Sequence, residues 1–172
     1  MAEKRIDQRV RVTKELLQEA LIRLLKDQPI SKISVRALCQ EAGINRSTFY
    51  AHYQDPTEVL NEIEATAMKK IQKQLSGHNF VKDSNLPLSV LTESMTYIKE
   101  NAALFSVLMS DNCNRILQQD VSALVHRITA VMSFPYSEDV LTYATAFWIS
   151  GAVEIAEMWL ASGTKESPEE IS

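Results

Sequence analysis

Between Ser34 and Tyr53 the chain reads Ser-Val-Arg-Ala-Leu-Cys-Gln-Glu-Ala-Gly-Ile-Asn-Arg-Ser-Thr-Phe-Tyr-Ala-His-Tyr, two helical patterns that break at Gly43. Ser34 is placed to cap the first, and apolar Val35, Leu38, Cys39 and Ala42 then recur at helical spacing. Ile33 before the cap and Leu38 inside it form a hydrophobic staple. The device repeats one helix later, with Asn45 as cap, Ile44 before it and Phe49 at the matching inner position. Gly43 suits a helix C-terminus because glycine reaches the left-handed conformation without a Cβ penalty. Asp55-Pro56-Thr57-Glu58 then opens a third helix, with Asp55 as cap, Pro56 in the first turn and Glu58 reaching back. The pattern is two helices of about eight residues around a short turn, the layout of a helix-turn-helix.

The second helix of the pair carries hydroxyls, an amide, a guanidinium and a phenol where a second apolar face would otherwise stand. Phe49 and Tyr53 share one side, which is expected to face the core. At about 100° per residue, Ser47 and Ala51 point the opposite way, Thr48 and Tyr50 lie on the flanks, and Arg46 and His52 sit near the edges of the buried face. Exposed hydroxyls and a phenol suit phosphate contacts, while Asn45 and Arg46 at the helix N-terminus suit base edges. The alternative is that Thr48, Tyr50 and His52 decorate a solvated helix.

Charge distribution favours the first reading. The chain has 172 residues and a formal net charge of −4, which alone does not point to nucleic acid. Residues 1–54, however, hold ten Lys/Arg against six Asp/Glu, and the remainder holds eight against sixteen. A basic head on an acidic body is what is expected when one end meets phosphate.

Helical periodicity continues almost throughout. A first helix over roughly 8–26 carries Val10, Thr13, Leu17, Ala20, Leu21 and Leu24 on one stripe. A long helix runs from Pro56 to about Ser76, and 77–87 reads as a loop. Leu88, Leu91, Met95 and Ile98 mark another helix, and Leu104, Phe105, Leu108 and Met109 a short one. Leu117, Val121, Leu124, Ile128 and Met132 form a further stripe that ends at Phe134-Pro135, and a last long helix covers 137–162. No segment sustains strand alternation. The expected fold is all-α, with a three-helix helix-turn-helix domain over 1–54 and a helical bundle over 55–172.

No apolar run is long enough to span a bilayer, and the charged N-terminus lacks the apolar stretch of a signal peptide. The two cysteines, Cys39 and Cys113, lack metal-type spacing. A cytoplasmic chain with free thiols is expected. The histidines His52, His78 and His126 form no helical pair, and there is no nucleophile elbow, phosphate-cradling glycine loop or His-Glu-x-x-His. His78, Asp83, Asp111 and Cys113 lack ligand spacing for a metal site. Neither an enzyme nor a cofactor is expected.

The first helix, Ile33-Ser34-Val35, Ala42-Gly43-Ile44 and above all Thr48-Phe49-Tyr50-Ala51-His52-Tyr53 followed by Leu60 resemble the DNA-binding domain of the tetracycline-repressor (TetR/AcrR) family. Residues 56–172 resemble it in architecture. The resemblance implies a homodimeric regulator that sets two recognition helices into successive major grooves of a palindromic operator, with a helical body that holds a small-molecule effector. Its phosphate contacts fall on Ser34, Arg36, Thr48, Tyr50 and His52, and its base readout on Asn45, Arg46 and Ser47. Lys4, Arg5, Arg9 and Arg11 would supply an arm along the backbone or into the minor groove. Family members often carry lysine where this chain has Pro56, so a salt dependence shallower by about one unit of slope is expected.

For the effector, Met95, Tyr97, Phe105, Met109, His126, Phe147 and Trp148 either line a cavity or form ordinary core. For the dimer, Ala144, Gly151, Ala152 and Ala156 allow close approach across a two-fold axis, with Trp148, Ile155 and Trp159 as anchors; the same small residues can instead pack within one subunit. Ser167-Pro168-Glu169-Glu170 is another helix start, and that helix would be cut short at residue 172. A different class of function is a protein of this fold that has left transcription and acts as a protein-interaction module. The basic head and the hydroxyl-rich helix favour DNA.

Overall fold

The computed structural model describes residues 2–76, 88–110 and 137–172; within these, the side chains of 2–7, 74–76, 88, 90, 138, 145, 148 and 149 are outside the described set. The described elements are all helical: α1 (Ala2–Leu25), a 3-10 turn (Ile30–Lys32), α2 (Val35–Ala42), α3 (Arg46–Tyr50), α4 (Pro56–Ser76), α5 (Leu88–Glu100), α6 (Ala102–Leu108), α7 (Glu138–Ala161) and α8 (Pro168–Ile171). The expected loop at 77–87 and the stripe from Leu117 to Met132 lie outside the described residues, as do His78, Asp83, Asp111, Cys113 and His126. Among the described residues no helix is long and apolar enough to cross a membrane.

The chain divides into two compact units, Met1–Thr66 and Ala67–Ser172. In the first, α1 packs on α2 and α2 on α3. Their contact is built from Leu17, Ala20, Leu21 and Leu25 of α1, Ile33 and Leu38 of the staple, and Phe49 of α3, all buried. A fully buried Phe or Leu side chain contributes about 1.5–3 kcal/mol, so this small set is enough to hold short helices that would not form alone. On the first helix Leu25 is buried and Leu24 only half-buried, so the apolar stripe turns by one residue at its end.

The helix ends follow the caps in the sequence. Ser34 Oγ accepts the Ala37 N–H at 3.1 Å. Gly43 takes φ 66° and ψ 26°, and α2 closes with Ile44 N–H on Cys39 O at 2.9 Å and Gly43 N–H on Gln40 O at 3.3 Å, a Schellman closure. Asp55 Oδ1 accepts from Thr57 N–H at 2.7 Å and Glu58 N–H at 3.2 Å. Glu58 reaches back one residue further than expected, to Gln54 N–H at 2.7 Å.

Two expectations of extent are corrected. Helix α1 begins at Ala2, so Lys4 and Arg5 lie on the helix and form no separate arm. Helix α3 has five residues where about eight were expected, because Ala51 and His52 form a turn toward the Asp55-Pro56 start of α4. The turn is tight: Tyr53 N–H still bonds to Phe49 O at 2.9 Å.

In the second unit α5 packs on α6 and α8, and α6 on α7. Tyr97, Ile98, Phe105, Val107, Leu108, Met109, Val153, Ala156 and Trp159 are buried there. Helix α8 is a single capped turn, with Ser167 and Glu170 forming a capping box. Lys99 Nζ reaches Glu166 O at 3.1 Å and Trp159 Nε1 reaches the same oxygen at 3.3 Å, which ties the segment ahead of α8 to α5 and α7.

Candidate nucleic-acid interface

Short helix α3 is held by Phe49, which is fully buried, and by the Asn45 cap. Asn45 Oδ1 accepts from the Ser47 N–H at 3.1 Å and from the Ser47 hydroxyl at 3.2 Å. Arg46, Ser47 and Tyr50 are exposed, and Thr48 and His52 half-buried. Tyr50 is 60% exposed, its ring standing edge-on to Phe49 at 5.5 Å and 83°. The large ring is thus left mostly in solvent and positioned by its neighbour.

Cations in this unit divide into two groups. Arg23 pairs with Glu41 at 2.6 Å, Lys14 with Glu62 at 2.9 Å and Arg11 with Glu15 at 3.5 Å. These hold helices together or sit on the flank of α1. Arg9, Arg36 and Arg46 are exposed and form no salt bridge among the described residues. Guanidiniums without an internal carboxylate are the ones available to an external anion. Ser34 and Arg36 at the start of α2, and Asn45 through Tyr50 on α3, therefore fall on consecutive capped helices. The side chain of Arg5 lies outside the described residues.

Residues 17–63 match the family described as bacterial regulatory proteins, tetR family, and residues 86–172 match one described as transcriptional regulator C-terminal region. The chain belongs to the TetR family of transcriptional regulators. It is 25% identical over 165 residues to the uncharacterized helix-turn-helix-type transcriptional regulator YxbF of Bacillus subtilis (strain 168), covering 91% of this chain and 42% of that protein. It is 27% identical over 94 residues to the transcriptional regulator AcrR of Shigella flexneri, covering 55% of this chain and 43% of AcrR. The chain thus spans less than half the length of these curated relatives. Among solved structures it is similar in fold to a TetR transcriptional regulator from Streptococcus agalactiae 2603V, with a TM-score of 0.68, 22% identity, and 98% of this chain and 94% of that one covered.

In this TetR-family chain Tyr97 and Phe105, among the residues expected around an effector, are brought together, while Met109 borders a different cleft. Phe105 is fully buried, with Tyr97 edge-on to it at 5.4 Å, so these two are core. Tyr97 also borders an open cleft of about 640 Å³ with Lys70, Lys73, Glu100 and Asn101. Met109 borders a separate one of about 340 Å³ with Ser106, Ser110, Glu157, Leu160 and Ala161. Met95 is half-buried, and the side chain of Trp148 is outside the described residues. Phe147 is 76% exposed.

The interface residues also redistribute. Trp159 is 2% exposed, with Lys99 Nζ 5.6 Å from its ring centroid, so it belongs to the core of the single chain. Ala156 is buried with it. Ala144 and Gly151 are half-buried, and Ala152 and Ile155 exposed. Three further apolar side chains on α7 face solvent that the sequence pattern did not separate from core: Val140, Tyr143 and Met158, the second 77% and the third 64% exposed. With Phe147, Gly151 and Ile155 they lie within an arc of about 120° on the helix.

Proposed function

We propose that this chain is a repressor that binds a palindromic operator as a homodimer in the cytoplasm and answers to a small-molecule effector. The observation that carries the reading is the pairing of a capped, exposed α3 with guanidiniums that no carboxylate neutralises among the described residues. Arg46 reads a base edge, preferring guanine, and Asn45 and Ser47 shape the helix end that presents it. Ser34, Arg36, Thr48, Tyr50 and His52 hold phosphates, and Arg5 and Arg9 on the first turns of α1 add charge. Residues 1–54 form the DNA-binding domain and 55–172 the body.

The dimer rests on the exposed arc of α7. Val140, Tyr143, Phe147, Gly151, Ile155 and Met158 recur every three or four residues, the spacing of a helix that packs along its length on another. A Cβ at Gly151 would meet no atom within 4 Å in the single chain, which leaves room there for close approach by a second helix. Ala144 and Ala152 border the same arc. An effector acts by favouring the dimer geometry that no longer matches the operator's half-site spacing.

Binding-site selection on random duplex DNA tests the reading. It should enrich a palindrome with half-sites about one to one and a half helical turns apart. A protein that enriches no motif even at low salt is instead an interaction module, and the α7 arc is then its contact face.

A further inference from the structure

Glu62 stands where three elements of the DNA-binding unit meet. Its Oε2 accepts the Tyr53 hydroxyl at 2.9 Å, and its two oxygens accept from Lys14 Nζ at 3.0 and 2.9 Å. Lys14 Nζ also lies 5.2 Å from the centroid of the Tyr53 ring. One carboxylate of α4 thereby holds α1 and the residue that closes the turn after α3. Tyr53 is in turn fixed to α3, by its N–H on Phe49 O at 2.9 Å and by its ring 5.9 Å from that of Phe49. Force on the Tyr53 hydroxyl is therefore passed to α3 through one buried ring pair and one main-chain bond.

The charge states favour this clasp. Burial opposes ionisation of Glu62, but the hydrogen bonds from Lys14 and Tyr53, with the charges of Lys14 and His52, outweigh it and hold the carboxyl below its ordinary range. Burial and then the Glu62 carboxylate push the Tyr53 phenol well above its usual value. Donor and acceptor are thus a neutral phenol and an ionised carboxylate, a charge-assisted pair.

We propose that Glu62 is a positioning residue for DNA recognition: through Tyr53, and steadied by Lys14, it sets the angle at which α3 is presented. The proposal rests on the reading of α3 as the recognition helix. A loosened α3 loses its aligned base contacts before it loses phosphate contacts, because the latter tolerate displacement. The consequence falls on specificity, the ratio of operator to random-duplex affinity, more than on affinity for DNA in general.

Tyr53→Phe, Glu62→Gln and the double variant test this, titrated well below their unfolding transitions against the selected palindrome and a random duplex. Tyr53→Phe keeps the buried ring and removes the hydroxyl alone. The specificity ratio should fall by about three- to tenfold, the scale of one lost side-chain hydrogen bond. The double variant should be little worse than the stronger single one, since both cut the same link. A wild-type ratio in folded single variants would overturn the proposal and leave the clasp a purely structural contact. Hydrogen exchange separates this from failure of the DNA reading itself. Even where wild type selects no palindrome, amides 46–53 should exchange faster in Tyr53→Phe, and unchanged protection there also overturns it.

Discussion

Asn45 and Ser47 are tied to one another at the start of the recognition helix, through the 3.1 Å bond from the Ser47 main chain and the 3.2 Å bond from its hydroxyl to the same amide oxygen. The family resemblance implies base readout for both. The structure bears out Asn45 as the cap and leaves Arg46 between them as the side chain with its donors uncommitted among the described residues. Specificity and helix stability therefore meet in consecutive residues.

Removing the cap should be costly for so short a helix. Asn45→Ala is expected to destabilise the protein by about 1 kcal/mol, and Asn45→Asp to retain most of that. Denaturant unfolding of the two variants checks it. Equal stability of Asn45→Ala and wild type would mean that α3 is held by Phe49 alone.

Arg46 and Tyr50 should differ in kind. Arg46→Ala is expected to relax preference at one base position at a cost of about 1–3 kcal/mol. Tyr50→Phe removes a hydroxyl aimed at phosphate and should weaken all sequences alike. Selection repeated with each variant gives the comparison. A changed base preference in Tyr50→Phe would show that the two roles are assigned to the wrong side chains.

The helix ends were legible because caps, staples and a left-handed glycine are local: Ser34, Gly43, Asn45 and Asp55 act within a few residues of themselves. The side of α7 that faces solvent was not. That helix is apolar around most of its circumference, so periodicity marks a helix without choosing a face, and it does not say that Phe147 is exposed and Trp159 buried. The Glu62 clasp was illegible for another reason. Lys14 and Glu62 are 48 positions apart, and only the packing of α1 against the other helices brings them together.

The exposure of Phe147 and the burial of Trp159 have separate consequences for assembly and folding. Phe147→Glu should leave the subunit folded and shift sedimentation from dimer to monomer, since the side chain touches solvent in the single chain and a buried charge at an apolar interface is unfavourable. Trp159→Ala should instead lower stability by about 3–5 kcal/mol. A dimer that survives Phe147→Glu at micromolar concentration would move the interface off this arc.

Cys39 should be unreactive in the native protein. It is 4% exposed, and burial pushes its thiol pKa up, with the nearby Arg46 charge only partly opposing. Because the thiolate is the nucleophile, a water-soluble thiol reagent should modify Cys39 at the rate of unfolding. Mass spectrometry after peptide digestion, which separates Cys39 from Cys113, reads this directly. Prompt labelling at Cys39 would mean that α2 opens locally from α1.

Acid stability follows from Glu62. Its folded pKa lies below the ordinary 4.5, so the stability it contributes is complete above that value and disappears as pH falls through the lower, folded one. Melting temperature is therefore expected to drop on acidification below about pH 5, and to drop less in Glu62→Gln, which has no proton to take up. Side chains about one-third exposed on both partners make the effect modest and sensitive to salt. Parallel acid profiles for wild type and Glu62→Gln would place the acid-sensitive contact elsewhere, and raising the ionic strength should bring the two profiles closer together if the Lys14 pair is its source.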